Sequence, residues 1–200
     1  MPIPLDKITG AALTIDIEHR EIHDGHYFKA FYESVAPLPT DIGAETAIGF
    51  MTPSLPTRIH MVIDADADDE STFEFREDPT VVLDQGVFLE ALNRYRSGGG
   101  SLILDHSNPG VALGVTTYTV LQAAAADLSA SGSILHSETL AIAAGPPFGS
   151  ILNDRHRGQR EWILRPDTEY VAILTNLTAN DTVHKLTLNW YETVDHHYIA

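Results

Sequence analysis

His19, Glu21 and His23 stand at alternate positions of one polar run, and His26 follows just beyond. On a strand this spacing points the first three side chains the same way, giving a face with donors suited to zinc. The order His-Arg-Glu-Ile-His is not the helical His-Glu-x-x-His motif, because the glutamate occupies the wrong position. A polar strand end running into a hairpin turn is therefore expected, without a metal.

Asp64, Asp66 and Asp68, extended by Asp69 and Glu70, repeat as in a calcium loop, where alternate carboxylates converge on one ion. These three are the chain's metal candidates, but the rest of the motif fails. Asp69 stands where such a loop needs glycine for its sharp turn, and Phe75 where the bidentate glutamate belongs. The sequence predicts a solvated turn between a strand ending at Ile63 and one starting at Ser71, and no cofactor.

Other chemistry fails for stated reasons. Asp105-His106-Ser107 has the letters of a hydrolase triad, but consecutive residues cannot form a nucleophile, base and orienter in series. The nucleophile elbow, the phosphate loop and the dinucleotide fingerprint are all missing from the sequence. Glu161 and Asp167 could pair as in a glycosidase, yet with 28 acidic residues such pairs arise by chance. Trp162 and Trp190, with Tyr170 and Tyr191, could make a sugar platform, but aromatics alternating with aliphatics on strands are expected in the core. Asn176-Leu177-Thr178 and Asn180-Asp181-Thr182 match the glycosylation pattern, which matters only in a secreted eukaryotic protein. No catalytic residue is assigned, and the chain is expected not to be an enzyme.

The elements that must position these residues are mostly strands. Leu13, Ile15 and Ile17 alternate with polar residues ahead of the turn pair Asp24-Gly25, and Phe28, Ala30 and Tyr32 alternate after it. Further runs cover 46–51, 58–63, 71–77, 112–121, 133–143, 161–164, 169–177 and 182–193, the last with Leu186, Leu188 and Trp190 on one face. One stretch has a helical period: Phe88, Ala91, Leu92 and Tyr95 fall at i, i+3, i+4 and i+7. The alanines at 123–126 offer little to bury and read as a loop, as do the glycines at 98–100. The fold class is all-β: one antiparallel β-sandwich or jelly-roll domain over 1–200, with long loops, at most one short helix, and a short N-terminal arm at 1–10.

Composition excludes several partners. A formal net charge of -16 repels phosphate backbones and anionic lipid, so neither nucleic acid nor membrane is expected as a partner. Without cysteine there is no disulfide framework, thiolate metal site or cysteine nucleophile. Met1-Pro2-Ile3-Pro4-Leu5-Asp6-Lys7 lacks the basic start and apolar stretch of a secretory leader, and no apolar run is long enough to span a membrane as a helix.

Three segments carry a family resemblance. The first is Thr14-Ile15-Asp16-Ile17-Glu18-His19-Arg20-Glu21-Ile22-His23-Asp24-Gly25-His26-Tyr27-Phe28. The second is Phe73-Glu74-Phe75-Arg76-Glu77-Asp78-Pro79-Thr80 with Leu92-Asn93-Arg94-Tyr95-Arg96-Ser97. The third is Glu161-Trp162-Ile163-Leu164-Arg165-Pro166-Asp167-Thr168-Glu169-Tyr170 with Asn189-Trp190-Tyr191-Glu192. Together they resemble, in order, small head-decoration (cement) proteins of tailed bacteriophages. The resemblance implies a sandwich or jelly roll made in the host cytoplasm and placed on the outer surface of the capsid. It further implies an oligomer, with no catalytic residues to carry over, and the expected partners are the major capsid protein and other copies of the chain in a homotrimer. It also argues against a helix at 88–95. A tail, neck or fibre module that binds a partner protein or host carbohydrate is the alternative.

Overall fold

The computed structural model describes residues 21–33, 45–79, 87–96, 98–103, 115–120, 132–140, 149–150 and 161–194. Their strands are β1 (Tyr27–Glu33), β2 (Glu45–Met51), β3 (Thr57–Ala67), β4 (Ser71–Glu77), β5 (Val87–Leu89) and β6 (Leu92–Asn93). β7 (Val115–Val120), β8 (Ser133–Leu140), β9 (Gly149–Ser150), β10 (Trp162–Ile163), β11 (Glu169–Asn176) and β12 (His184–Val194) follow. Residues 21–23 are helical, the only helix among those described.

Two six-stranded sheets result. The first runs β10-β3-β12-β1-β6, with β9 also on β3, and the second runs β5-β7-β2-β11-β4-β8. Every pairing is antiparallel. β12 centres the first sheet because its alternation buries Leu186, Leu188 and Trp190 side by side on one face, flanked on that face by the buried polar His184 and Glu192. The sheets pack face to face, with Phe28, Met61, Leu188 and Trp190 of the first and Ile48, Phe50, Phe75, Tyr170 and Leu174 of the second in one apolar cluster. Phe75 of β4 meets Trp162 of β10 across the gap at 5.7 Å between ring centroids. The chain is thus an all-β sandwich, as the alternation predicts.

The central strands of the second sheet depart from half-burial. Ala47 of β2 and Val171 and Ile173 of β11 alternate with the core residues, so they face the other way, yet they too are buried. Burial on both faces explains why Tyr170-Val171-Ala172-Ile173-Leu174 is an unbroken apolar run rather than an alternating one.

Three expectations are corrected. The helical period at 88–95 yields β5 and β6, not a helix: Val87–Leu89 pairs with β7 in one sheet, and Leu92–Asn93 with β1 in the other. Pairing to distant strands outweighs so short a local period. The expected strand and hairpin at 19–23 is instead helical at 21–23, though the turn at Asp24-Gly25 does form, with Gly25 at φ 78. The turn expected after Ile63 starts later, because pairing with β12 carries β3 on through Asp64 and Asp66 to Ala67. The glycine stretch is a loop, as read: Asn93 Nδ2 donates to the carbonyls of Gly25 and Gly99. A Cβ on Gly98 would lie 2.4 Å from that amide nitrogen, so the site admits only glycine without rearrangement. The arm at 1–10, the run at 13–17 and the alanines at 123–126 lie outside the described residues.

Candidate functional site

Tyr27, Tyr191 and His60 form one cross-strand row on the first sheet, Tyr27 opposite Tyr191 and Tyr191 opposite His60. Their chain neighbours Phe28, Trp190 and Met61 point into the core, so the row stands on the other face. The rings stack like plates. His60 and Tyr191 are 4.6 Å apart at 14°, and Tyr27 and Tyr191 6.5 Å at 20°. The Arg94 guanidinium lies 4.8 Å from the Tyr27 centroid and caps one end, and Ile163 is registered beside His60 at the other. The row therefore keeps its ring faces for itself, with Tyr27 buried within it.

Glu161 joins two of the rings. His60 Nδ1 donates to its Oε1 at 3.0 Å, and the Tyr191 hydroxyl donates to the same oxygen. A carboxylate on Nδ1 fixes the orientation of the imidazole, the arrangement that prepares a histidine as base or metal ligand. The rest of a metal centre does not gather, since no three His, Cys, Asp or Glu side chains among the described residues could hold an ion. Burial, and next the hydrogen bond to Glu161, raise the Tyr191 phenol well above its ordinary pKa. Burial also raises that of Tyr27, against the pull of Arg94. Both phenols are neutral near pH 7.

Two further polar centres lie inside the fold. His184 of β12 reaches the second sheet with both ring nitrogens: Nδ1 is 3.1 Å from Thr46 Oγ1 of β2, and Nε2 3.1 Å from Ser71 Oγ of β4. Burial lowers its pKa to about 4, so the ring is neutral. Glu192 accepts from the Ser101 hydroxyl at 2.6 Å, the Leu102 amide at 2.9 Å and the Trp190 indole at 3.2 Å. Burial raises its pKa and these donors pull it back. Glu192 thereby ties residues 101–103 to the first sheet.

The residues singled out from sequence are dispersed. Asp64 and Asp66 lie on β3, where Asp64 accepts from Asn189 at 3.0 Å, and Asp68 accepts from the Val183 amide at 2.6 Å beyond the strand. Asp66 Oδ1 is buried without a hydrogen-bond partner among the described residues. Glu21 is buried with its carboxylate 3.4 Å from His26 Nδ1, while His23 is exposed and His19 lies outside the described residues. Asp105, His106 and Ser107 also lie outside them. Glu161 and Asp167 serve different partners, Asp167 accepting from the Ser54 hydroxyl. Trp190 is 0% exposed and stacks on Phe28, so it offers no face to a sugar, and Trp162 is half-buried and packs on the core against Phe75. Asn176 is buried and donates to the Asn180 carbonyl.

Sequence reasoning missed His60 with Glu161, 101 positions apart, and His184 with Thr46, 138 apart. Only strand order brings either pair together, so no local spacing marks them. No family model matches the chain, and no curated protein or solved structure matches it.

Proposed function

We propose that this chain is a non-catalytic structural domain that binds the outer surface of an assembled tailed-phage head, in many copies, and bridges neighbouring subunits of the major capsid protein. The observation that carries the reading is where the resembling segments fall. Residues 27–28, 73–77, 162–163, 169–170 and 189–192 lie in β1, β4, β10, β11 and β12, and supply Phe28, Phe73, Phe75, Tyr170 and Trp190 to the core. A sandwich whose aromatic and titratable groups are engaged with one another suits work by surface contact rather than turnover. Interfaces of ordinary size, repeated around a shell, stabilise it without a reactive group. The charge of -16 keeps such a protein soluble and off the packaged genome.

The test mixes purified protein with expanded heads that lack it, followed by sedimentation and quantitative mass spectrometry. Saturable binding at a copy number comparable to that of the capsomers is expected. No binding to expanded heads, or only a few copies per particle, overturns the reading.

A further inference from the structure

Among the described sheet edges, β8 is the exception. β5, β6, β9 and β10 run two or three residues, whereas β8 runs eight. It pairs with β4 on one side, no described residue pairs with its other side, and Ser137, Glu138 and Thr139 are exposed. Residues directly opposite in a ladder share a face, so His136, Glu138 and Leu140, opposite Phe75, Phe73 and Ser71, lie on the core side. Even so, the His136 and Glu138 side chains are 42% and 44% exposed. The second sheet overhangs its partner here. A register shift between Phe75 and Arg76 ends the regular stretch before Ile134.

Inward charges commonly blunt an edge strand against pairing. On β8 the inward polar groups are a histidine and a glutamate two positions apart, with His136 Nε2 3.4 Å from Glu138 Oε2 within the strand, and exchange of these partners between two copies makes the pattern self-complementary. With Ser137 on a twofold axis, His136 of one antiparallel copy faces the partner's Glu138, and Glu138 faces the partner's His136. We propose that β8 pairs with β8 of a second copy about an axis through Ser137, joining two six-stranded sheets into one. The pairing belongs to the isolated chain and does not depend on the capsid reading. The repulsion between two copies at -16 each acts over long range. Salt of about 0.1 M screens it beyond about 10 Å, whereas strand hydrogen bonds act at contact, so salt strengthens the pair.

The chain has no cysteine, which makes single thiols a clean test of register. Opposed residues on antiparallel strands have Cα atoms about 4.5 to 5.5 Å apart, within disulfide reach. Two copies of residue 139 would instead lie about 13 Å apart along the strands. Mild oxidation is expected to convert Ser137→Cys to a covalent dimer and to leave Thr139→Cys monomeric. In sedimentation equilibrium the unaltered chain shifts from monomer to dimer as concentration and salt rise. His136→Glu returns it to monomer while circular dichroism shows it folded, and adding Glu138→His restores the dimer. Equal cross-linking of the two cysteine variants, a monomer at every concentration, or a trimer indifferent to His136→Glu overturns the proposal.

Discussion

Acidification from pH 6.5 to 4 is expected to loosen the sandwich at His184, where one side chain of the first sheet is bonded to Thr46 and Ser71 of the second. The folded chain holds this imidazole neutral down to about pH 4, against an ordinary 6.5, because burial penalises the cation. Between those values the unfolded chain binds a proton that the folded chain refuses. Stability from this group is therefore complete above pH 6.5, falls as pH falls, and is exhausted near pH 4. At about 1.4 kcal/mol for each pH unit, the span from 6.5 to about 4 is worth about 3 kcal/mol. Glu192 acts in the opposite sense: its raised pKa means that protonation at low pH relieves a buried charge, so the whole-chain profile understates the histidine. His184→Gln isolates it, since the amide can bond both hydroxyls and carries no charge. Urea unfolding of both chains at half-unit steps of pH gives two stability curves. Their difference is expected to have a slope approaching one proton through this window. Parallel curves from pH 4.5 to 6.5 would refute the argument that burial alone sets the charge state of His184.

Three shorter expectations follow from contacts already described. Glu192→Ala leaves the Ser101 hydroxyl, the Leu102 amide and the Trp190 indole without their acceptor, and is expected to cost about 3 kcal/mol in urea unfolding. Gly132→Ala puts a Cβ 2.6 Å from the Glu77 carbonyl at φ 83, and is expected to lower stability by more than about 1 kcal/mol, read as a fall in melting temperature. Tyr191→Phe removes the donor to Glu161 but keeps the stack on His60, so it is expected to cost about 1 kcal/mol in a urea titration; His60→Ala loses the stack as well and is expected to cost more.

The second sheet was legible where its strands obeyed simple rules. Ser71–Glu77 alternates, with Phe73 and Phe75 inward, and Tyr170 to Leu174 is apolar without a break, so β4 and β11 were found nearly to their ends. The stretch at 88–95 misled because its apolar residues serve two sheets, and crossing from one to the other imitates a helical period. Asp64 and Asp66 misled because aspartate suits turns, whereas here the eleven-residue pairing of β12 holds them in extended chain. The polar centres were illegible for a different reason: His60, His184 and Glu192 each find partners through strand order, which sequence periodicity does not encode.

That strand order also governs when the chain can fold. β1 and β3 meet only through β12, and β2 and β4 only through β11. Four strands made early must therefore wait, with apolar faces unburied, for two made late. A ribosome that has released residues up to 160 has produced the walls of both sheets and the centre of neither. High contact order of this kind slows folding and leaves a nascent chain open to aggregation. A chain truncated before β11 lacks both the strand that joins β2 to β4 and the strand that joins β1 to β3, so neither described sheet can close without these two late strands.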